Sequence, residues 1–96
     1  MSDFSLEFNQ KALKEWHKLD ATIRLQFARK LKERMQAPHV EADRLRSLPD
    51  CYKIKLRSAG YRLVYQVIDQ RLVITVIAVG KRERSAVYGD AEKRLR

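Results

Sequence analysis

Cysteine, proline and glycine are scarce in this chain, at one, two and three residues among 96. The single thiol, Cys51, permits no internal disulfide, and its distance in sequence from His17 and His39 leaves no zinc-ligand spacing. With no histidine partner nearby, Cys51 is expected to be inert and half-buried at the start of a strand, not a catalytic thiol. No run of about 18 apolar residues exists, so a helical membrane span is not expected. The first eight residues lack the basic flank and apolar run of a secretory signal, which makes the cytoplasm the expected location. Repeats, low-complexity tracts and interdomain linkers are also missing. Residues 1–96 are expected to form one domain, large enough for a single core.

What the chain has in excess is positive charge. Lys and Arg number 21 against 12 Asp and Glu, for a net charge of +9. The excess is one-sided. Residues 1–43 carry eight cations and seven anions, whereas residues 44–96 carry thirteen and five. Such a field captures polyanions, either nucleic acid or an acidic protein. Charge alone fits a basic domain with solvated faces equally well.

The stretch at 49–67 concentrates that charge. Tyr52, Ile54 and Leu56 alternate with Lys53, Lys55 and Arg57, the period of a strand with one face in a core and one in water. Ser58, Ala59 and Gly60 supply a turn, and 61–68 reads as the returning strand of a β-hairpin. Two registers compete. If Arg57 lies opposite Tyr61, Arg62 points away from the lysines. If Arg57 lies opposite Arg62, or a bulge at Gly60 shifts the count by one, Arg62 joins Lys53 and Lys55. The second arrangement is expected, because it puts Leu63 and Tyr65 on the core side with Ile54 and Leu56.

The remaining elements frame this hairpin. Residues 3–8 alternate as a short strand. Asn9 can cap a helix to about Leu19, with Ala12, Leu13, Trp16 and Leu19 on one stripe. Trp16 is expected as a core anchor and His17 as a solvated helix residue. Asp20 can end this helix and cap a second at 21–35, carrying Ile23, Phe27, Leu31 and Met35; Pro38 stops it. Lys11, Lys14, Lys18, Arg24, Arg29, Lys32 and Arg34 fall on the outer surface of this pair. Residues 37–48 form a connector with one helical turn around 41–45, pegged by Leu45 and Leu48, which frees Arg44 and Arg46 to point outward. A turn at 69–70 precedes a nearly continuous β-branched run at 71–79, as expected of an interior strand. Gly80 ends it, Lys81, Arg82 and Arg84 follow, and Ser85 can cap a short C-terminal helix through Tyr88, Ala91 and Leu95. Gly89 within that helix costs about 1 kcal/mol relative to alanine. The order predicts an α+β domain, a helical hairpin packed on a mainly antiparallel four-stranded sheet with a short C-terminal helix.

Several of these segments share a known pattern. Tyr52-Lys53-Ile54-Lys55-Leu56-Arg57, Gly60-Tyr61-Arg62-Leu63-Val64-Tyr65-Gln66-Val67 and Val79-Gly80-Lys81-Arg82-Glu83-Arg84-Ser85, with Val87-Tyr88, resemble the RelE family of bacterial type II toxins. The similarity extends to Ala12-Leu13-Lys14-Glu15-Trp16 and Pro49-Asp50-Cys51, covering essentially the whole chain. It implies the RelE-like microbial ribonuclease fold and a toxin that enters the ribosomal A site, cuts the mRNA codon there and stops translation. It also implies a RelB-type antitoxin that neutralises the toxin, the pair repressing its own operon by binding operator DNA. No cofactor, metal or membrane partner is implied. Carried over residue by residue, the catalytic positions are Lys53, Lys55, Arg62, Arg82 and Tyr88. Arg46 becomes a substrate or ribosome contact, with Arg44, Arg57, Lys81 and Arg84 as further candidates beside it. Gly89 stands where a better helix former is expected.

These residue types suit RNA cleavage by the 2′-hydroxyl, which needs a proton acceptor, stabilisation of a negative phosphorane and a proton for the leaving 5′-oxygen. Arg62 and Arg82 can grip phosphate oxygens but are poor proton shuttles. Lysines crowded by arginines lose some proton affinity, so Lys55 is expected as base and Lys53 as support or acid. Tyr88 is a stacking clamp or an alternative acceptor. The lack of a histidine pair predicts weak cleavage of free RNA and reliance on the ribosome to align the strand. The competing class is a non-catalytic toxin of the same fold acting on DNA gyrase, or a basic module for nucleic acid and antitoxin alone.

Overall fold

The computed structural model describes residues 3–81, 83 and 86–96. Strand β1 (Ser5–Phe8) leads into α1 (Gln10–His17), α2 (Ala21–Gln36), a 3-10 turn at Glu41–Asp43, then β2 (Cys51–Leu56), β3 (Tyr61–Ile68), β4 (Val73–Lys81) and α3 (Ala86–Leu95). The α+β class holds, and among the described residues no helix is long and apolar enough to cross a membrane.

Local chemistry sets the boundaries. The Asn9 side chain accepts from the Lys11 and Ala12 amides at 2.9 and 3.4 Å, which starts α1. This helix stops two residues before Leu19, where the Lys18 and Leu19 amides turn back onto the carbonyls of Glu15 and Trp16. Asp20 holds the cap position of α2, yet its side chain makes no capping bond. Arg24 instead donates to the Leu19 carbonyl at 3.1 Å, satisfying a carbonyl that the end of α1 leaves open. Strand β4 begins two residues later than its composition predicts. Asp69–Arg71 form a 3-10 turn and Leu72 takes a left-handed φ of 54°, which draws the start of the apolar run out of the ladder.

The sheet order is β1-β4-β3-β2. Strands β2, β3 and β4 form an antiparallel meander, while β1 runs parallel to β4, so the sheet is mainly antiparallel but mixed. Helix α1 lies over β4 and α2 over β2. Phe27 and Leu31 of α2 bury fully against Ile54, Leu63, Tyr65 and Ile74, and Trp16 packs on Phe8 with ring centroids 5.3 Å apart. Fully burying a Leu, Ile or Phe side chain of this kind contributes about 1.5–3 kcal/mol.

The second face of the sheet is covered as well. Val87 and Ala91 of α3 seal Leu48, Cys51, Val64, Ile77 and Ala78 in a separate core. An irregularity makes this possible: Val64 pairs with Ala78 and Tyr65 with Val76, so Ile77 is an extra residue and joins Ala78 beneath α3. Cys51 is therefore fully buried, not half-buried as its place at a strand start suggested. Ser85, the expected cap of α3, lies outside the described residues.

Candidate active site

The hairpin closes in a register that the sequence alternatives did not name. Leu56 pairs with Tyr61 and Lys55 with Arg62, leaving a four-residue turn at 57–60. The Gly60 amide donates to the Leu56 carbonyl at 2.8 Å, and Gly60 adopts φ +73°, a conformation open to glycine. Arg57 thus pairs with neither Tyr61 nor Arg62. The faces nevertheless fall as in the second arrangement, with Arg62 beside the lysines and Leu63 and Tyr65 beside Ile54 and Leu56.

A row of three strand positions results: Lys55, Arg62 and Gly80, on β2, β3 and β4. Gly80 stands at the end of this row. A Cβ built there would meet Val87 Cγ2 at 3.7 Å, so the first turn of α3 stands directly over it. Tyr88 follows Val87 and is half-buried against the α3 core. At the other end, Lys55, Leu56, Arg57, Gly60 and Arg62 line a cavity of about 310 Å³. Lys53 is the next outward position on β2, opposite Val64.

Crowding of like charges marks this cavity. The Lys55 ammonium is held below the ordinary lysine range, first by Lys53, then by partial desolvation and by Arg62 and Arg57. A second network lies behind the sheet. Arg34 of α2, half-buried, donates to the Lys53 carbonyl at 3.4 Å and to the Tyr65 hydroxyl at 2.8 Å, and forms a 2.6 Å ion pair with Asp43. The Tyr65 hydroxyl donates in turn to the Pro38 carbonyl at 2.7 Å.

The other candidates lie further out. Arg44 forms an isolated bridge with Tyr52 and the Leu45 amide donates to the Cys51 carbonyl at 2.9 Å, so the connector runs along the outer edge of β2 with Arg44 and Arg46 exposed. Lys81 pairs with Tyr61, in the row of Leu56 and not in that of Lys55 and Arg62; it is an exposed strand end. Arg82 and Arg84 lie outside the described residues. Sequence reasoning passed over Arg34, which it read as outer surface, and Glu15 and Arg94, which meet across 79 residues. Gly80, read as the end of the strand, lies inside β4, which runs on to Lys81.

A family model described as the ParE toxin of type II toxin–antitoxin systems matches residues 6–86. The chain belongs to this toxin family. Within it, the mRNA interferase toxin RelE of Escherichia coli K12 is 60% identical over 92 residues, spanning 96% of this chain and 97% of that protein. The mRNA interferase RelE of Shigella flexneri matches equally. Among solved structures, a doubly arginine-substituted E. coli RelE in the free state superposes with a TM-score of 0.90 at 57% identity, covering all of both chains. The RelE chain of the intact E. coli RelBE toxin–antitoxin complex gives 0.82 at 59% identity, over 84% of this chain and 99% of that one. These relatives make the chain a RelE-type member of the toxin family.

Proposed function

We propose that this protein is a ribosome-dependent mRNA endoribonuclease, the toxin of a type II pair, neutralised by a RelB-type antitoxin with which it represses its operon. It works in the cytoplasm as one domain. The observation that carries the reading is the cross-strand pair of Lys55 and Arg62 in a cationic cavity, with the α3 turn that bears Tyr88 at the end of the same row. The substrate class is supported by relatives of 60% identity that are mRNA interferases.

The chemistry follows from what such a cavity can do to a phosphodiester. Arg62, with Arg82, holds the non-bridging oxygens and stabilises the phosphorane as charge develops. Lys55, whose ammonium sheds its proton more readily than a free lysine, takes the proton of the 2′-hydroxyl. The 2′-oxygen then bonds to phosphorus, the P–O5′ bond breaks, and a proton from Lys53 or water goes to the 5′-oxygen. A 2′,3′-cyclic phosphate and a 5′-hydroxyl are the products, and no metal takes part. Tyr88 stacks on a base or shares the proton-accepting task. Arg44, Arg46, Arg57, Lys81 and Arg84 hold message and ribosomal RNA, so raising salt weakens ribosome association steeply.

Primer extension on translated message tests this reading. Cuts within the A-site codon, lost in folded Tyr88→Ala and Arg82→Ala proteins, are the expected result. Uncut message together with stalled DNA replication would instead favour a toxin acting on gyrase.

A further inference from the structure

Strand β1 ends at Phe8, opposite Val76, while β4 runs on to Lys81. Beyond this last β1 pairing, two backbone groups of β4 find side-chain partners. The Val79 amide donates to Glu15 Oε1 at 3.3 Å, and the Ile77 carbonyl accepts from Arg94 Nη1 at 2.8 Å. Arg94 also grips Glu15 in a fork, Nη1 to Oε1 and Nη2 to Oε2, both at 2.8 Å. Asp90, one turn earlier on α3, stands 3.9 Å from the same guanidinium. Helix α1, strand β4 and the last turn of α3 are thereby tied at one point, with the Arg94 side chain only 12% exposed.

The pair is half-buried, so desolvation of both partners offsets part of its attraction. Its strength is geometric: a planar fork with a third bond to a carbonyl admits one orientation. Helix α3 needs such a constraint, since its buried apolar grip consists of Val87 and Ala91. Val87 fixes the first turn over Gly80, and Arg94 fixes the last turn on β4. Tyr88 rides between them.

We infer that Glu15 and Arg94 are positioning residues that set, through α3, where Tyr88 stands relative to the Lys55–Arg62 row. This inference rests on the nuclease reading above. Neither residue touches the cavity, so each acts on the reaction only by way of the helix.

The test is a double-mutant cycle on ribosomes programmed with one message, measuring the single-turnover cleavage rate at saturating toxin. Arg94→Met is expected to slow cleavage by about tenfold to a hundredfold, the penalty of a misplaced group. Binding to the ribosome should hold, and amide exchange should quicken in α3 while that of β3 and β4 stays as in the parent. In a Tyr88→Ala background, Arg94→Met should add little. Should Arg94→Met fail to fold, Glu15→Gln and Arg94→Lys, which keep the volume, carry the same cycle. Losses that multiply independently in the double variant would overturn the positioning role while leaving the nuclease reading intact. A parent protein that leaves ribosome-bound message uncut would overturn the nuclease reading, and this inference with it.

Discussion

Lys55 faces Arg62 directly across the β2–β3 ladder, two like charges at paired strand positions. Such a pair opposes folding. A cross-strand neighbour chosen for stability would be acidic or apolar. Binding of a polyanion would offset this repulsion.

Arg62→Gln should therefore change stability and activity in opposite directions. The midpoint of chemical denaturation is expected to rise slightly as the repulsion disappears. Cleavage on ribosomes should fall by about 10²–10³, the loss that follows removal of one donor to a developing negative charge. A variant less stable than the parent would contradict the repulsion, and one as active as the parent would contradict the catalytic role.

The lowered proton affinity of Lys55 gives a pH signature. Below its pKa the group is an ammonium and cannot accept a proton, so the cleavage rate should rise with pH as the neutral form appears. Lys53 is the first cause of the lowering. Lys53→Gln should accordingly move the rising limb toward higher pH, measured by single-turnover cleavage across a buffer series. An unmoved limb would take the role of base away from Lys55.

How far the sequence led to this site can be argued from the same residues. The alternation of Tyr52 to Arg57 and the scarcity of glycine located the hairpin, its faces and its turn. The pairing itself was not legible, because the four-residue turn at 57–60, closed by the Gly60 amide on the Leu56 carbonyl, and one at 58–61, with Arg57 opposite Arg62, put the same residues on each face. Period-two patterning fixes parity, not pairing. What covers the second face of the sheet was less legible: Val64, Ile77 and Ala78 call for a cover, but nothing local says that the cover is α3. Arg34 lies near the end of an amphipathic helix like any surface cation, and only the fold brings it to the Lys53 carbonyl.

Cys51 should be chemically silent in the folded toxin. Burial, with the Asp50 carboxylate beside it, pushes its thiol up to about 12, so almost no thiolate exists at neutral pH. Alkylation by iodoacetamide at pH 8 is expected only after denaturant is added. Rapid labelling of native protein would mean that α3 leaves its core often enough to open the site.

Tyr65→Phe separates the scaffold from the chemistry. The phenol is fully buried, and burial raises its pKa, so it stays protonated and donates to the Pro38 carbonyl while accepting from Arg34. Removing the oxygen takes one of two donors from that carbonyl, which keeps the Val40 amide at 3.0 Å, and leaves one Arg34 N–H without its acceptor, at a cost of about 1–3 kcal/mol. In a domain of this size each kcal/mol lowers Tm by about 4–8 °C. The ion pair of Arg34 with Asp43 and its bond to the Lys53 carbonyl remain, so the cleavage rate at low temperature should match the parent. A large drop in rate with little loss of Tm would place the Tyr65 hydroxyl in the active site's electrostatics, not in the frame behind it.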